Sequence, residues 1–150
     1  MTDYRLLCEQ IRSLAEISAD PVPVLANASA LLYEALPDIN WAGFYLVKDG
    51  ALLLGPFQGK AACVRIEMDR GVCGTAWAED AVQVVPDVHA FPGHIACDSA
   101  SRSEIVIPLH RSGRVVGVLD IDSPVTGRFT EEDRGGLELF AVTVEEILNS

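Results

Sequence analysis

Glu104-Ile105-Val106-Ile107-Pro108-Leu109, then Arg111-Ser112-Gly113-Arg114, then Val115-Val116-Gly117-Val118-Leu119-Asp120-Ile121 is the stretch whose reading decides the fold. Two apolar runs flank a short polar segment containing glycine, which reads as two strands joined by a hairpin. Working back, Trp41 to Val47 reads as a strand, Lys48-Asp49-Gly50 as a turn and Ala51 to Leu54 as the returning strand. Val82 to Val85 is a short strand stopped by Pro86. Helical periodicity takes over outside these segments. Leu6, Leu7, Ile11, Leu14 and Ile17 form one stripe within Tyr4 to Ile17. Leu25, Leu31, Leu32 and Leu36 follow Asp20-Pro21, with Pro21 tolerated in a first turn and Pro37 placed after the end. Gly71 to Ala78 reads as a short helix entered from a glycine turn. Thr130 is a candidate N-cap with acidic residues behind it, opening a C-terminal helix with Leu137, Phe140, Ala141, Val144 and Ile147 on its apolar face. Hairpin-joined strands with helices gathered mainly on one face imply an antiparallel sheet and an α+β fold. No repeat, low-complexity tract or linker divides the sequence, so residues 1–150 are expected to form a single domain.

Composition narrows the function classes. The formal net charge is −11, from 22 acidic and 11 basic residues, and no basic stripe stands out. Such a field repels phosphate backbones, so nucleic acid is not an expected partner. No apolar run approaches the roughly 20 residues of a membrane span. Met1-Thr2-Asp3-Tyr4-Arg5 opens without a basic segment followed by an apolar one, so the expectation is a cytoplasmic protein without a signal peptide. Acidity by itself points to no substrate, because it also serves solubility.

Four cysteines, Cys8, Cys63, Cys73 and Cys97, start the chemical argument. Cys8 sits in an apolar helical pattern and reads as core, whereas the others fall in glycine- or proline-rich or polar surroundings. None is arranged as C-x-x-C, so thioredoxin-like and zinc-ribbon spacings are absent and no metal is expected. Two other readings stay open: three unrelated buried thiols, or a Cys3His zinc site assembled in space with His89 or His94. Cys97 lies in the long irregular stretch Asp87 to Ser103, flanked by His94 and Arg102, and loops of that length on small domains are often functional. A cationic neighbour approaching the sulfur would raise its thiolate fraction.

A second constellation is acidic. Glu104, Asp120 and Asp122 lie in or beside apolar strands, where a carboxylate is costly unless it faces a polar site. Asp120 and Asp122 are two apart and share a strand face, suited to an ammonium group or to raising one carboxyl pKa until it donates a proton near neutrality. Trp41 and Tyr45, four apart, share the face of another strand and are core unless that face meets the reactive cysteine.

With these residues set out, the sequence resembles the free methionine-(R)-sulfoxide reductases, a GAF-domain family. The carrying segments are Asn40-Trp41-Ala42-Gly43-Phe44-Tyr45-Leu46, the run from Leu54 to Cys63, Gly71-Val72-Cys73-Gly74-Thr75-Ala76 and Val85-Pro86-Asp87-Val88-His89. Further on come Phe91 to Asp98, Ser101-Arg102-Ser103-Glu104-Ile105 and Leu119-Asp120-Ile121-Asp122-Ser123-Pro124. The resemblance implies a GAF-type domain and an oxidoreductase that converts free methionine (R)-sulfoxide to methionine, with oxidative stress as its setting. It implies Cys97 as the nucleophile that becomes a sulfenic acid, Cys63 as the thiol that resolves it to a disulfide, and Cys73 as an auxiliary thiol. A thioredoxin-type dithiol would regenerate the enzyme, with no cofactor. Glu104, Asp120 and Asp122 would hold the substrate ammonium and sulfoxide, and Trp41 and Tyr45 its methyl end. The alternative from another class is a non-catalytic GAF sensor of a small molecule. Oligomeric state is not legible in the sequence, and a homodimer stays open.

Overall fold

The fold is organised by one six-stranded sheet whose strands run in the order β3-β2-β1-β6-β5-β4, every neighbouring pair antiparallel. The structure, a computed structural model, describes residues 1–94 and 100–150. Its strands are β1 (Trp41–Lys48), β2 (Ala51–Gly59), β3 (Arg65–Ile66), β4 (Gln83–Val85), β5 (Ser103–Arg111) and β6 (Arg114–Ser123). Its helices are α1 (Tyr4–Leu14), α2 (Pro21–Ala35), α3 (Gly71–Glu79) and α4 (Glu131–Leu148). Both expected hairpins are present, β1–β2 and β5–β6, and their pairing through β1 and β6 makes the centre of the sheet.

Local sequence explains where the helices begin. Asp3 caps α1 by accepting from the Leu6 amide, and Asp20 caps α2 by accepting from the Val22 amide, with proline in the first turn. Thr130 caps α4 in a reciprocal pair with Asp133, satisfying donors the helix cannot satisfy itself. Three differences from the sequence reading follow from tertiary context. Helix α1 stops at Leu14, and Ile17 stands in solvent because the chain turns away to enter α2. Strand β2 runs on to Gly59, since β1 continues to offer it partners through Trp41. The two-residue strand β3 and a 3-10 turn at Val88–Ala90 are too short to leave a periodic signal.

The two faces of the sheet carry different loads. Ala42, Phe44, Ile105, Ile107, Leu109, Leu119 and Ile121 pack with α1, α2 and α4 into one continuous apolar cluster. The opposite face carries Trp41, Tyr45, Val106 and Val118, and against it lie α3 and the segments around it, through Val72, Cys73 and Ala76. Three helices on one face and one on the other is the expected α+β arrangement. Covering both faces also explains why Trp41 to Tyr45 are all buried instead of alternating.

Candidate active site

The site lies where the face beneath α3 turns polar. Strand pairing sets Glu104 of β5 opposite Asp122 of β6, and Asp122 in turn opposite Trp41 of β1. One step of two residues along β6, Asp120 stands between Val106 and Gly43. The period of two therefore places all three carboxylates and both aromatics on one face, beside α3. Glu104 and Asp120 are 7% and 5% exposed, and Asp122 is half-buried. Both aspartates line the cavity.

Two glycines create the space. A Cβ on Gly43 would lie 2.3 Å from Cβ of Phe57 and 2.9 Å from the Trp41 indole, so only glycine fits beneath that ring. Trp41 then stacks between Phe57 at 5.1 Å and Tyr45 at 5.9 Å between ring centroids. Gly74 lets the first turns of α3 press on the preceding segment, where a Cβ would meet the Glu67 carbonyl oxygen at 2.6 Å. That close approach brings Cys73 over the sheet, its sulfur 4.0 Å from Glu104 Oε2.

These groups surround a cavity of about 50 Å³, several times the room one water needs. Trp41, Tyr45, Cys73, Glu104, Asp120 and Asp122 line it. The wall also includes Ala61, Ala62, Ile66, Arg70, His94 and Ser101. Of these, His94 is marked in the sequence as a neighbour of Cys97, while Ala61, Ala62 and Ser101 fall in segments that carry the family resemblance without a role of their own. Ser101 accepts from Asn40 Nδ2 at 3.1 Å, and the Arg102 amide donates to the Ser123 carbonyl at 2.7 Å. These bonds return the long loop to the sheet, a long-range effect with no sequence signature.

Burial governs the electrostatics. It pushes the Glu104 carboxyl well above the usual range, and the charges of Asp120 and Asp122 push it further. Asp120 is raised by burial too, against hydrogen bonds from Glu104, Cys73 and Asp122 that favour its ionised form. Burial and the same carboxylates hold the Cys73 thiol protonated. Tyr45 is raised by burial and by Asp120, so its neutral hydroxyl donates to the Cys63 carbonyl at 2.8 Å. The Trp41 indole donates to the Lys60 carbonyl at 3.0 Å. The aromatic pair thus anchors the segment carrying Cys63. Burial and neighbouring His89 lower His94, leaving its ring uncharged at neutral pH and unable to act as the cation that would promote a thiolate.

The thiols differ in state. Cys63 is disulfide-bonded, whereas Cys8, buried in the helix-side core, and Cys73 are free. A disulfide at Cys63 removes it from any thiolate metal set, so the open Cys3His reading loses a ligand. Cys97, the expected nucleophile, lies outside the described residues. Among the described residues, Cys73, Glu104 and Asp120 each bring one donor atom within 4.8 Å of the others. Asp120 Oδ1, fully buried, has no hydrogen-bond partner among them.

The sheet order and the pocket on its α3 face are those of a domain of the GAF class, and the GAF domain family model matches residues 25–149. Within that class the chain belongs to the free methionine-R-sulfoxide reductase family. It is 64% identical to the free methionine-R-sulfoxide reductase of Escherichia coli over 124 residues, covering 83% of this chain and 75% of that protein. The reduced form of fRMsr from Staphylococcus aureus superposes with a TM-score of 0.95 at 50% identity, over 99% of this chain and 96% of that one. The Neisseria meningitidis free methionine-R-sulfoxide reductase in complex with its substrate gives 0.92 at 48% identity, over 97% and 87%. Among the described residues, no helix is long and apolar enough to cross a membrane.

Proposed function

We propose that this chain reduces the R-sulfoxide of free methionine to methionine by a thiol, sulfenic acid and disulfide cycle. The observation that carries the reading is an acidic and aromatic pocket held directly against the segment of a disulfide-bonded cysteine, Cys63. In this cycle the Cys97 thiolate attacks the sulfoxide sulfur while a buried carboxyl protonates the oxygen. The substrate S–O bond then breaks as its oxygen, now a hydroxyl, passes to the Cys97 sulfur; the substrate sulfur gains two electrons and leaves as methionine, and Cys97 loses them to become the sulfenic acid. Cys63 condenses with it, releasing water. The free state of Cys8 and Cys73 supports that pairing. A thioredoxin-type dithiol then exchanges with the disulfide and leaves oxidised.

Glu104 supports the role of proton donor, because its raised pKa keeps a proton available near neutrality. Asp120 and Asp122 would face the substrate ammonium, and Trp41 and Tyr45 the methyl end. Purified protein is expected to consume a dithiol only when methionine R-sulfoxide is present. A non-catalytic sensor would bind without consuming it. Cys97→Ser should abolish methionine release with the fold intact. Cys63→Ser should release about one methionine per site and then stop without forming the disulfide. Sustained thioredoxin-dependent turnover by Cys63→Ser would refute the resolving role.

A further inference from the structure

Recognition of an ammonium group accounts for the carboxylates of the pocket but does not explain why the Cys73 thiol stands among them. An ammonium gains little from a buried neutral thiol, which is a weak acceptor. The thiol nevertheless sits among two buried carboxylates, 4.0 Å from Glu104 Oε2, with one donor atom from Cys73, Glu104 and Asp120 mutually within 4.8 Å. Asp120 Oδ1 adds an independent sign. It is a fully buried acceptor with no hydrogen-bond partner among the described residues, on a side chain that lines the cavity. A buried carboxylate oxygen without a donor is costly, so something that binds there recovers that cost.

We propose that Cys73, Glu104 and Asp120 form a binding site for one divalent ion of the zinc type, and that this ion excludes the substrate. The donor set decides the class of ion. One sulfur and two carboxylate oxygens suit zinc or cobalt, whereas magnesium and calcium require all-oxygen shells of six or more. Ligand atoms around tetrahedral zinc, at bond lengths of about 2.0 to 2.3 Å, lie roughly 3.3 to 3.7 Å apart. From separations of up to 4.8 Å, the three donors need to close by roughly 1 to 1.5 Å at most to reach that spacing. Their fourth position faces the cavity, where water completes the shell. Charge also balances. The ion enters as the thiol proton and a carboxyl proton leave, so the pocket gains no net charge. Exclusion of substrate rests on the function proposed above, because the same carboxylates would hold its ammonium group; the metal site itself does not.

Cobalt(II) is the probe, added to chelator-treated, fully reduced protein. The expected result is one equivalent bound with a thiolate-to-cobalt charge-transfer band. Cys73→Ser should lose the band, while Cys63→Ser/Cys97→Ser should keep it. Glu104→Gln should weaken cobalt binding by more than the roughly 10- to 100-fold that a merely supporting partner costs. Circular dichroism on each variant separates lost ligation from lost fold, and Asp120→Asn offers a second ligand test if Glu104→Gln unfolds. A band that survives Cys73→Ser, or one that disappears in Cys63→Ser/Cys97→Ser, overturns the site. Free methionine R-sulfoxide should bleach the band and zinc should raise its KM; a band unchanged at saturating substrate overturns the exclusion. Failure of the function would read differently, as protein that takes up cobalt normally yet never reduces the sulfoxide.

Discussion

The two faces of the central sheet are built from neighbouring residues of the same strands, and they are put to opposite uses. Ile105 follows Glu104 on β5, and Ile121 lies between Asp120 and Asp122 on β6. The isoleucines enter the apolar cluster beneath α1, α2 and α4. The acids turn the other way, into a cavity where they are desolvated and repel one another. One face gains stability through buried apolar area, and the other spends some of it to hold groups ready for a ligand. The difference teaches that a single change of face, one residue along a strand, separates architecture from chemistry.

Truncation on the helix side should give the largest effect. Phe140→Ala removes a fully buried ring from the centre of that cluster and should cost about 3–5 kcal/mol in denaturant unfolding. Its kcat per folded molecule should stay near that of the parent. A large loss of kcat in the folded fraction would break the division between the faces.

Glu104→Gln should do the reverse. Activity should fall by roughly 100-fold or more, as expected for losing one general acid. Stability near neutral pH should hold or rise. The sign follows from the raised carboxyl pKa: protonation stabilises the folded state fully below the ordinary glutamate value of about 4.3, and this is lost as pH climbs through the raised one. Lowering pH across that window should therefore stabilise the parent more than Glu104→Gln. An equal pH response in urea titrations would show that Glu104 is not held as described.

Tyr45→Phe is the finest cut. It keeps the ring stacked on Trp41 and deletes the hydroxyl that donates to the Cys63 carbonyl. A loss of about 1 kcal/mol is expected, read as slower disulfide formation after a single turnover. Unchanged rates of resolution would mean that the Cys63 segment is positioned without that bond.

Much of this contrast was legible in the sequence, since Glu104, Asp120 and Asp122 interrupt apolar strands with a period of two. Trp41 and Tyr45 could be placed on one face by the same arithmetic, although the glycine beneath the indole gained its meaning from Phe57, a residue on the neighbouring strand. Other features depend on long-range closure. Arg70 and Ser101 reach the cavity because α3 and the loop before β5 fold back onto the sheet, and β3 is a two-residue strand defined only by its partner β2. Cys73 read as one of three thiols in glycine- or proline-rich or polar surroundings, yet the close approach of Gly74 to the Glu67 carbonyl buries it on the sheet-facing side of α3.

The central claim is that the acidic face selects a free amino acid. The most direct measurement compares kcat/KM for methionine R-sulfoxide with that for its N-acetyl derivative, which has the same sulfoxide but no ammonium. Losing a charge-assisted contact of about 1.5–3 kcal/mol should lower kcat/KM by one to two powers of ten, and stranding buried carboxylates should deepen the loss. Equal values for the two compounds would contradict the account and remove Glu104, Asp120 and Asp122 from substrate recognition.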